Sequence, residues 1–342
     1  MSHTICLLPG DGIGPEVSQA AREVLDASGA AIDWIELLPA GAGAIAVHGD
    51  VLPQHTLDTL AQVRLALKGP LTTPIGGGFG SINVRLRQYF HLYAAVRPIR
   101  SLPGIRTRYD NVDLVVIREN TEGLYCGIEH AIVPGVVQSL RVLTRAGCER
   151  IARYAFTYAR ERGRTKVTTV HKANILKQAD GMWLDCCRRM QAEVGQGIAY
   201  EELLIDNACL QLVRDPSRFD VLVMENYNGD LISDLCAGLV GGLGVVPGAN
   251  LGDDCAIFEA VHGSAPDIAG QGLANPLALI MSGVMMLNHI GETAAAERIK
   301  DAYNAVLAAG NPDDVTRDIG GRAGTRAFVQ ALTRHLAEAP VL

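Results

Sequence analysis

The sequence predicts an α/β protein with a substantially parallel sheet. Short apolar runs, typical of buried strands, alternate along the chain with longer amphipathic segments of helical periodicity. This alternation favours parallel strands, because a helix usually carries the chain back between two of them. The composition is that of a globular protein, with 48% hydrophobic and 20% charged residues, and 342 residues are enough for two domains.

The predicted elements follow from these runs. Pro15 suits the first turn of the first helix, and Gly29 ends it. Strands are predicted at residues 4–10, 32–38, 65–71, 112–120, 166–172, 198–206 and 220–226. Helices are predicted at residues 15–28, 145–162, 174–192 and 296–309.

Charge and composition argue against several classes of protein. The net charge is −7 and the basic residues are scattered, so no nucleic-acid partner is expected. No uninterrupted apolar run is long enough for a membrane span, and the N-terminal segment lacks a signal-peptide pattern. The eight cysteines contain no C-x-x-C pair. These features predict a cytoplasmic protein with reduced thiols, and neither a disulfide framework nor a zinc site.

The segment GDGIGPE at residues 10–16 lies between a predicted strand and a helix, where a dinucleotide-binding loop would lie. It does not match the fingerprint G-x-G-x-x-G, because its third glycine comes one position early. The segment instead predicts a tight turn in which glycine adopts positive φ. A conventional Rossmann fold is therefore not expected.

A basic segment begins at Ser81. On a helix that begins there, Asn83 and Arg87 share a face. The planar fork of arginine binds carboxylates and phosphates, so Arg87 together with Arg97 and Arg118 could recognise an anionic ligand. The alternative is a set of surface arginines on an amphipathic helix, and the pattern alone leaves both open.

Three aspartates are candidates for a metal site. Asp206 ends a predicted strand, and Asp230 and Asp234 follow another strand at a spacing that places both on one helix face. Like charges at this spacing repel by about 0.2–0.5 kcal/mol, so either the pair is solvated or a positive group lies between them. Oxygen ligands suit Mg²⁺ or Mn²⁺, whereas zinc would require histidine or cysteine at ligand spacing.

Lys172 and Tyr125 are candidates for proton transfer. Lys172 lies at a predicted strand end and could be a general base if neighbouring cations or burial lower its pKa. Tyr125 lies in a polar turn and could donate a proton. The alternatives are a solvated lysine and a buried, hydrogen-bonded tyrosine.

The order of the motifs is more informative than any one of them. Together they resemble the β-decarboxylating dehydrogenase family, which comprises isocitrate, homoisocitrate and 3-isopropylmalate dehydrogenases. The motifs are LPGDGIGPE, KGPLTTPIGGG, S-x-N-x-x-x-R, IRENTEGLY-x-GIE, VHKANI, NGDLISD and HGSAPDIAG. The resemblance extends from about residue 5 to residue 330, nearly the whole chain.

The resemblance implies the isocitrate/isopropylmalate dehydrogenase type of fold, which is not a conventional Rossmann fold. A large cofactor domain would comprise residues 1–92 and 241–342. A small domain would comprise residues 93–240, with a clasp segment near 123–145. Family members are usually dimers that share their active sites, so a homodimer is expected.

The resemblance also implies roles for the candidate residues. Lys172 would take the hydroxyl proton of a 2-hydroxy acid, and Tyr125 would deliver a proton to carbon after CO₂ leaves. Asp206, Asp230 and Asp234 would hold Mg²⁺ or Mn²⁺, with Lys172 and Asp206 reaching in from the partner subunit. The carboxylates of the substrate would be bound by Arg87, Arg97 and Arg118.

Isocitrate is the expected substrate, oxidised and decarboxylated to 2-oxoglutarate and CO₂. Ser81 and Asn83 match the positions where isocitrate dehydrogenases contact the distal carboxylate, and polar atoms there would stay unpaired against a hydrocarbon. Homoisocitrate stays an alternative, since one methylene supplies only about 1–3 kcal/mol of discrimination. A 3-isopropylmalate dehydrogenase and a non-catalytic regulatory subunit are two further hypotheses.

For the cofactor, the resemblance implies NAD. Asp267 and Ile268 follow HGSAP in the pattern of NAD users, and a carboxylate there would bind ribose hydroxyls and repel a 2′-phosphate. Arg317 is a cation that argues in the other direction. The further cofactor contacts that the resemblance implies are Thr73, Asn174, His262, Gly263, Asn275 and Asp318.

Overall fold

The computed structural model describes residues 2–37, 40–41, 44–45, 49–72 and 80–338. Twelve strands and ten α-helices occur in these parts of the chain. The predicted α/β class is confirmed. Thr73, predicted to contact the cofactor, lies outside the described residues.

The strands account for all seven predicted segments and add others. They are β1 His3–Leu8, β2 Ile32–Glu36, β3 Leu65–Lys68, β4 Ala94–Arg100, β5 Asp113–Glu119, β6 Glu129–Val133, β7 Val136–Ser139, β8 Lys166–His171, β9 Ala199–Leu204, β10 Val221–Met224, β11 Pro247–Leu251 and β12 Ala256–Ala260. The helices are α1 Gly14–Ala27, α2 Gln54–Val63, α3 Ile82–Tyr89, α4 Arg145–Glu161, α5 Ala179–Val194, α6 Ile205–Arg214, α7 Asn226–Val240, α8 Leu277–His289, α9 Thr293–Ala309 and α10 Thr325–Glu338.

Ten strands form one sheet, in the order β2-β1-β3-β12-β11-β4-β5-β10-β8-β9. The four strands at each end are parallel to one another, and the antiparallel pairs β12–β11, β11–β4 and β4–β5 join the two ends. The expected parallel character therefore holds for both ends of the sheet. Strands β6 and β7 form a separate hairpin inside the predicted clasp segment.

Burial explains why the central strands read as apolar runs. All four residues of β10 and all but the first residue of β5 are buried, as expected for strands covered by helices on both faces. Helix α8 is buried on nearly all sides and contacts β11 and β12. The sequence does not predict α8, because its apolar residues run without the polar face that gives a helical period.

Several predicted boundaries differ from the structure, and two of them concern candidate site residues. The helix predicted at 174–192 begins at Ala179, because the carbonyl of Lys172 accepts from the N–H groups of Ile175 and Leu176 and closes a turn first. The strand predicted at 198–206 ends at Leu204, so Asp206 lies in the first turn of α6 and does not end a strand. In both cases the sequence prediction assigns the turn that follows a parallel strand to the wrong neighbouring element.

The GDGIGPE turn is confirmed as a tight turn with positive φ. Gly10 has φ of +85° and Gly12 has φ of +59°. A Cβ on Gly10 would lie 2.2 Å from the carbonyl oxygen of Pro70, and one on Gly12 would lie 2.0 Å from that of Ser264. The two glycines therefore let three distant segments of backbone meet beside β1.

No helix in the described parts of the chain has the length and apolar character needed to cross a membrane. All eight cysteines are free thiols, six of them buried.

Candidate active site

Two arginines bind the aspartate pair of α7. The side chain of Glu225 caps this helix by accepting from the N–H groups of Tyr227 and Asn228, so that Asp230 and Asp234 lie one turn apart on one face. The guanidinium of Arg118 forms an ion pair with Asp230. Nη1 of Arg97 lies 3.2 Å from Oδ1 of Asp234, and its Nη2 lies 3.9 Å from Oδ1 of Asp230. Of the two alternatives that the spacing leaves open, the structure shows positive groups beside the carboxylates.

Burial and charge act in opposite directions on this pair. Burial raises the pKa of Asp230, but the charge of Arg118 and the hydrogen bond from Tyr125 outweigh it, and the net pKa is lowered. For Asp234, burial dominates and the pKa is raised. Burial, with the charges of Arg87 and Arg97, lowers the pKa of Arg118 to about 10.

Tyr125 is joined to the same group. Its hydroxyl donates to Oδ2 of Asp230, and the guanidinium carbon of Arg118 lies 5.0 Å from the centre of its ring. Burial and the hydrogen bond to Asp230 raise the pKa of Tyr125. Tyr125 also lines a cleft of about 530 Å³ together with Ser81, which caps α3 at a distance of 3.4 Å from the N–H of Val84. The tyrosine is half-buried and keeps its proton at neutral pH.

A buried charge network lies behind Arg87. Glu259 on β12 forms an ion pair with Lys68 on β3, and its Oε1 lies 3.5 Å from Nη2 of Arg87. Asn250 donates to the same carboxylate at 2.6 Å. Burial raises the pKa of Glu259, but the charges of Lys68 and Arg87 outweigh it and set the pKa at about 2. Glu259 therefore stays ionised and fixes the position of Arg87.

A cavity of about 150 Å³ lies against these groups. Arg87 and Arg97 line it, and so does Asn83, whose side-chain oxygen is buried and has no hydrogen-bond partner in the part of the chain that the structure describes. A buried polar atom without a partner costs about 1–3 kcal/mol, so a ligand that donates to it, or a bridging water, would stabilise this arrangement. The cavity is polar, cationic and small.

A second, more apolar pocket of about 380 Å³ adjoins the first. His262 and Gly263 line both, so the two spaces meet at these residues. Nδ2 of Asn275 donates to Asp318 at 2.9 Å, which fixes two polar groups at the pocket wall. Burial lowers the pKa of His262, so its ring is neutral near pH 7. The predicted cofactor residues that line this pocket are His262, Gly263, Ile268, Asn275 and Asp318.

The remaining predicted cofactor residues are placed differently. Asp267 is exposed beside Ile268, and only its backbone carbonyl accepts a described hydrogen bond, from Gln271. Arg317 also lines the apolar pocket and is exposed. Asn174 is exposed in the turn after β8 and lies apart from that pocket.

Lys172 and Asp206 form a separate pair. The ammonium of Lys172 donates to Oδ1 of Asp206, and both side chains reach solvent. The hydrogen bond from Lys172 lowers the pKa of Asp206. They lie at the carboxyl ends of the neighbouring strands β8 and β9, and no described ion pair joins them to Asp230 or Asp234.

The donor set fits a divalent cation only in part within one chain. Among the described residues, no group of three or more His, Cys, Asp or Glu side chains is close enough together to hold a metal. Asp230 and Asp234 supply oxygen atoms of the kind that Mg²⁺ and Mn²⁺ prefer, and Asp234 is half-exposed. Asp206 pairs with Lys172 and does not join them in such a group within the described parts of the chain.

The sequence prediction misses Lys68 and Glu259. The available signal is that Lys68 interrupts the apolar strand LALK, since a charged residue at a buried strand position requires a partner. It also misses Arg141, Asp180 and Glu225, which form a buried charge cluster. No local pattern marks these three, because their contacts join distant segments.

The fold and the site together define an α/β protein with a small cationic cavity beside a larger, more apolar pocket. A family model described as isocitrate/isopropylmalate dehydrogenase matches residues 4–333, and the chain belongs to this family. The predicted class, the β-decarboxylating dehydrogenases, is confirmed.

Individual relatives agree with this assignment. The chain is 50% identical over 334 residues to a protein of Arabidopsis thaliana named isocitrate dehydrogenase (NAD) catalytic subunit 5, mitochondrial, covering 97% of this chain and 88% of that protein. It is 47% identical to a mitochondrial isocitrate dehydrogenase (NAD) protein of Dictyostelium discoideum that is named as regulatory, covering 98% and 92%. The crystal structure of isocitrate dehydrogenase from Methylococcus capsulatus superposes with a TM-score of 0.94 at 49% identity, covering 98% and 100%.

These relatives correct one prediction. The expectation of a cytoplasmic protein is wrong, because five curated relatives at 46–50% identity are mitochondrial by name. The expectation rested on reduced thiols and on the lack of a signal-peptide pattern, and reduced thiols indicate a reducing environment without identifying the compartment.

Proposed function

We propose that this protein catalyses the NAD-dependent, divalent-metal-dependent oxidative decarboxylation of isocitrate to 2-oxoglutarate and CO₂. The observation that carries this proposal is a polar cavity lined by the buried Arg87 and Arg97, which adjoins a cofactor-sized pocket, with the buried Arg118 bound to Asp230 beside Arg97. Isocitrate has three carboxylates, and buried guanidinium groups bind carboxylates through charge-assisted, often bidentate hydrogen bonds.

Asn83 supports isocitrate over 3-isopropylmalate. Its side-chain amide lines the same cavity as Arg87, and Ser81 precedes it at the same helix end. An isopropyl group would leave these polar groups unpaired, whereas a carboxylate can accept from the Nδ2–H of Asn83 and from the hydroxyl of Ser81. Homoisocitrate carries the same carboxylate on a longer arm, so the two acids have to be compared by experiment.

The residues of the chain divide the reaction between them. The arginines hold the carboxylates and fix the hydroxyl-bearing carbon towards the cofactor pocket. Lys172 takes the hydroxyl proton as the hydride leaves, and Tyr125 supplies a proton to the carbon that loses CO₂. The hydrogen bond of Tyr125 to Asp230 holds its hydroxyl at the substrate carboxylate end of the site.

Two bound groups complete this chemistry. NAD, which accepts the hydride when bound, would lie in the apolar pocket lined by His262, Ile268 and Asn275. A divalent cation, held by Asp230 and Asp234 with Asp206 of a second copy, would supply Lewis acidity at the hydroxyl oxygen and the carboxylate beside it. The exposed carboxylate of Asp267 supports NAD over NADP, since it would repel a 2′-phosphate.

A homodimer with shared active sites is supported by Lys172 and Asp206, whose side chains reach solvent and have no described ion pair with Asp230 or Asp234. Large apolar side chains are exposed in the turn after Lys172 and on helices α6 and α7, namely Ile175, Leu176, Leu210, Tyr227 and Leu231. Exposed apolar side chains of this size support burial against a second subunit.

The chain is proposed to be catalytic and not regulatory. Tyr125, Lys172, Asp206, Asp230 and Asp234 are all present, and the first and the last two lie in one cluster. A regulatory subunit needs none of these five side chains for chemistry.

The experiment is steady-state kcat/KM with NAD⁺ and Mg²⁺ or Mn²⁺, measured on isocitrate, homoisocitrate and 3-isopropylmalate in parallel, with a chelator control. We expect isocitrate to lead and turnover to stop when the cation is removed. A lead for homoisocitrate would overturn the substrate assignment alone. No turnover on any of the three acids by the isolated protein would overturn the catalytic assignment.

A further inference from the structure

A buried cluster of three charged side chains joins both halves of the proposed catalytic machinery. Asp180, which is fully buried, accepts from Nη1 of Arg141 at 2.6 Å. Nε of Arg141 lies 3.4 Å from Oε2 of Glu225, which is also buried. The other oxygen of Asp180 accepts from the backbone N–H of Lys172 at 2.6 Å. The proposed base is thus held through its own peptide group.

Helix α5 fixes the end of β8 at two points. The indole N–H of Trp183 donates to the carbonyl of Val170 at 3.1 Å, and Asp180 accepts from Lys172 two residues later. The turn that follows is exposed and carries the side chain of Lys172 outward to Asp206. The direction of Lys172 is therefore determined by an anchor at its backbone and another at its ammonium group.

The same cluster reaches the metal-binding face. Glu225 caps α7, the helix that carries Asp230 and Asp234. Arg141 comes from the segment that leaves the β6–β7 hairpin, so one guanidinium connects that segment, the Lys172 turn and the start of α7. The cluster contains two carboxylates and one arginine, and each carboxylate also lies at a helix N-terminus, where the helix dipole favours negative charge.

We propose that Asp180 is a positioning residue for Lys172, held in place by Arg141. This inference rests on the proposed function, which places Lys172 in the active site of the partner subunit. Asp180 then acts on the active site of the partner subunit, while Glu225 orders Asp230 and Asp234 in the active site of its own subunit. A misplacement of a catalytic group by about 1 Å costs on the order of 100-fold in rate, so the effect is measurable.

The test uses hybrid dimers assembled from two differently tagged subunits. The first hybrid pairs a Lys172→Ala subunit with a Tyr125→Phe subunit. If the two subunits share their active sites, one of the two sites in this hybrid contains an intact Lys172 and an intact Tyr125. Recovery of about half the wild-type kcat supports shared sites, and no recovery overturns that part of the proposed function.

Asp180→Asn subunits are then paired in turn with each of the other two variants. The hybrid of Asp180→Asn with Tyr125→Phe should leave one site intact and retain about half the activity. The hybrid of Asp180→Asn with Lys172→Ala should lose on the order of 100-fold, with KM for NAD⁺ unchanged. An equal loss of kcat in both hybrids would mean that Asp180 has a purely structural role within its own chain, and it would overturn the inference. An Asp180→Asn homodimer with wild-type kcat would also overturn it.

Two variants control the experiment. Asp185 lies on the same helix with an exposed side chain that pairs with Arg188 at 3.5 Å, so Asp185→Asn in place of Asp180→Asn should leave both hybrids at about half the wild-type activity. Asp180→Ser is run in parallel, since its hydroxyl is too short to bond Arg141 and Lys172 together. It should give the same pattern as Asp180→Asn.

Discussion

Nη2 of Arg87 lies 3.5 Å from Oε1 of Glu259, so an arginine of the proposed substrate site is bound to a strand on the cofactor side. Glu259 also pairs with Lys68, whose side chain is only 2% exposed. The carboxylate is shared by two cations, both of which line the cavity. Substrate affinity and the stability of this part of the sheet therefore depend on the same side chain.

We expect Glu259→Gln to lower the free energy of unfolding by about 3–5 kcal/mol near neutral pH, because it leaves the buried ammonium of Lys68 without a counter-charge. The pKa of Glu259 is depressed from 4.5 to about 2, so its stabilisation is complete above about 4.5 and is lost as the pH falls towards 2. Urea unfolding of both proteins should show a difference that shrinks over this acidic range. Glu297→Gln, whose carboxylate pairs with Lys300 in solvent, is the matched control. A pH-independent difference would contradict the ionised state.

Tyr125→Phe should reduce kcat by about 10²–10⁴-fold, the usual contribution of a positioned acid, with KM for isocitrate little changed. The phenyl ring keeps its place against Arg118, so only the hydroxyl is lost. Tyr89→Phe, on an exposed side chain, should match the wild type. Steady-state rates decide the point, and a Tyr125→Phe enzyme with wild-type kcat would exclude the phenol as the acid.

Asn83→Leu should weaken isocitrate binding by about 1–3 kcal/mol, because the substrate carboxylate then faces an apolar side chain. The measurement is the ratio of kcat/KM for isocitrate to that for 3-isopropylmalate, which should fall. Gln88→Leu, on the exposed side of the same helix, leaves the cavity wall unchanged. A constant ratio would mean that Asn83 does not contact the distal carboxylate of isocitrate.

Asp267→Lys combined with Ile268→Tyr should shift preference towards NADP⁺. The change removes a carboxylate that repels a 2′-phosphate and adds a cation beside Arg317, which already lines the pocket. The ratio of kcat/KM for NAD⁺ to that for NADP⁺ is the readout. An unchanged ratio would show that this loop does not meet the adenosine ribose.

Gly12→Ala should destabilise the protein and raise KM for NAD⁺. Positive φ alone costs an alanine about 1–2 kcal/mol, and the carbonyl of Ser264 would have to move as well. Gly163→Ala separates the two effects, since Gly163 has φ of +64° and a Cβ there would have nothing within 4 Å. Urea midpoints and KM for NAD⁺ should be more affected in Gly12→Ala; equal effects would show that the Ser264 contact is unimportant.

Much of the fold follows from local pattern. Helices α1 and α4 and strands β1, β5, β8 and β10 are all predicted, because proline or glycine at an end, or a continuous apolar run, marks them. For the aspartate pair the sequence leaves open a solvated pair or a positive group between the carboxylates, and it does not predict that Arg97 and Arg118 pair with them.

The unpredicted parts depend on distant segments. Strand β4 contains Arg97, Pro98 and Arg100 and does not read as a strand until its neighbours β5 and β11 are known. The pair of Lys68 and Glu259 requires β3 to lie beside β12. A single sequence gives the residue type of each partner but not which residues meet, so buried charge clusters are the part it leaves out.

The order of strands also sets an order of assembly during synthesis. Strands β1, β2 and β3 leave the ribosome first, but β3 finds its second neighbour only when residues 256–259 emerge. Between them, β5, β8, β9 and β10 can pair among themselves. The nascent chain therefore carries an open strand edge for most of its translation, and such an edge can pair with other chains. The N-terminal end of the sheet can be completed only during translation of the last third of the mRNA.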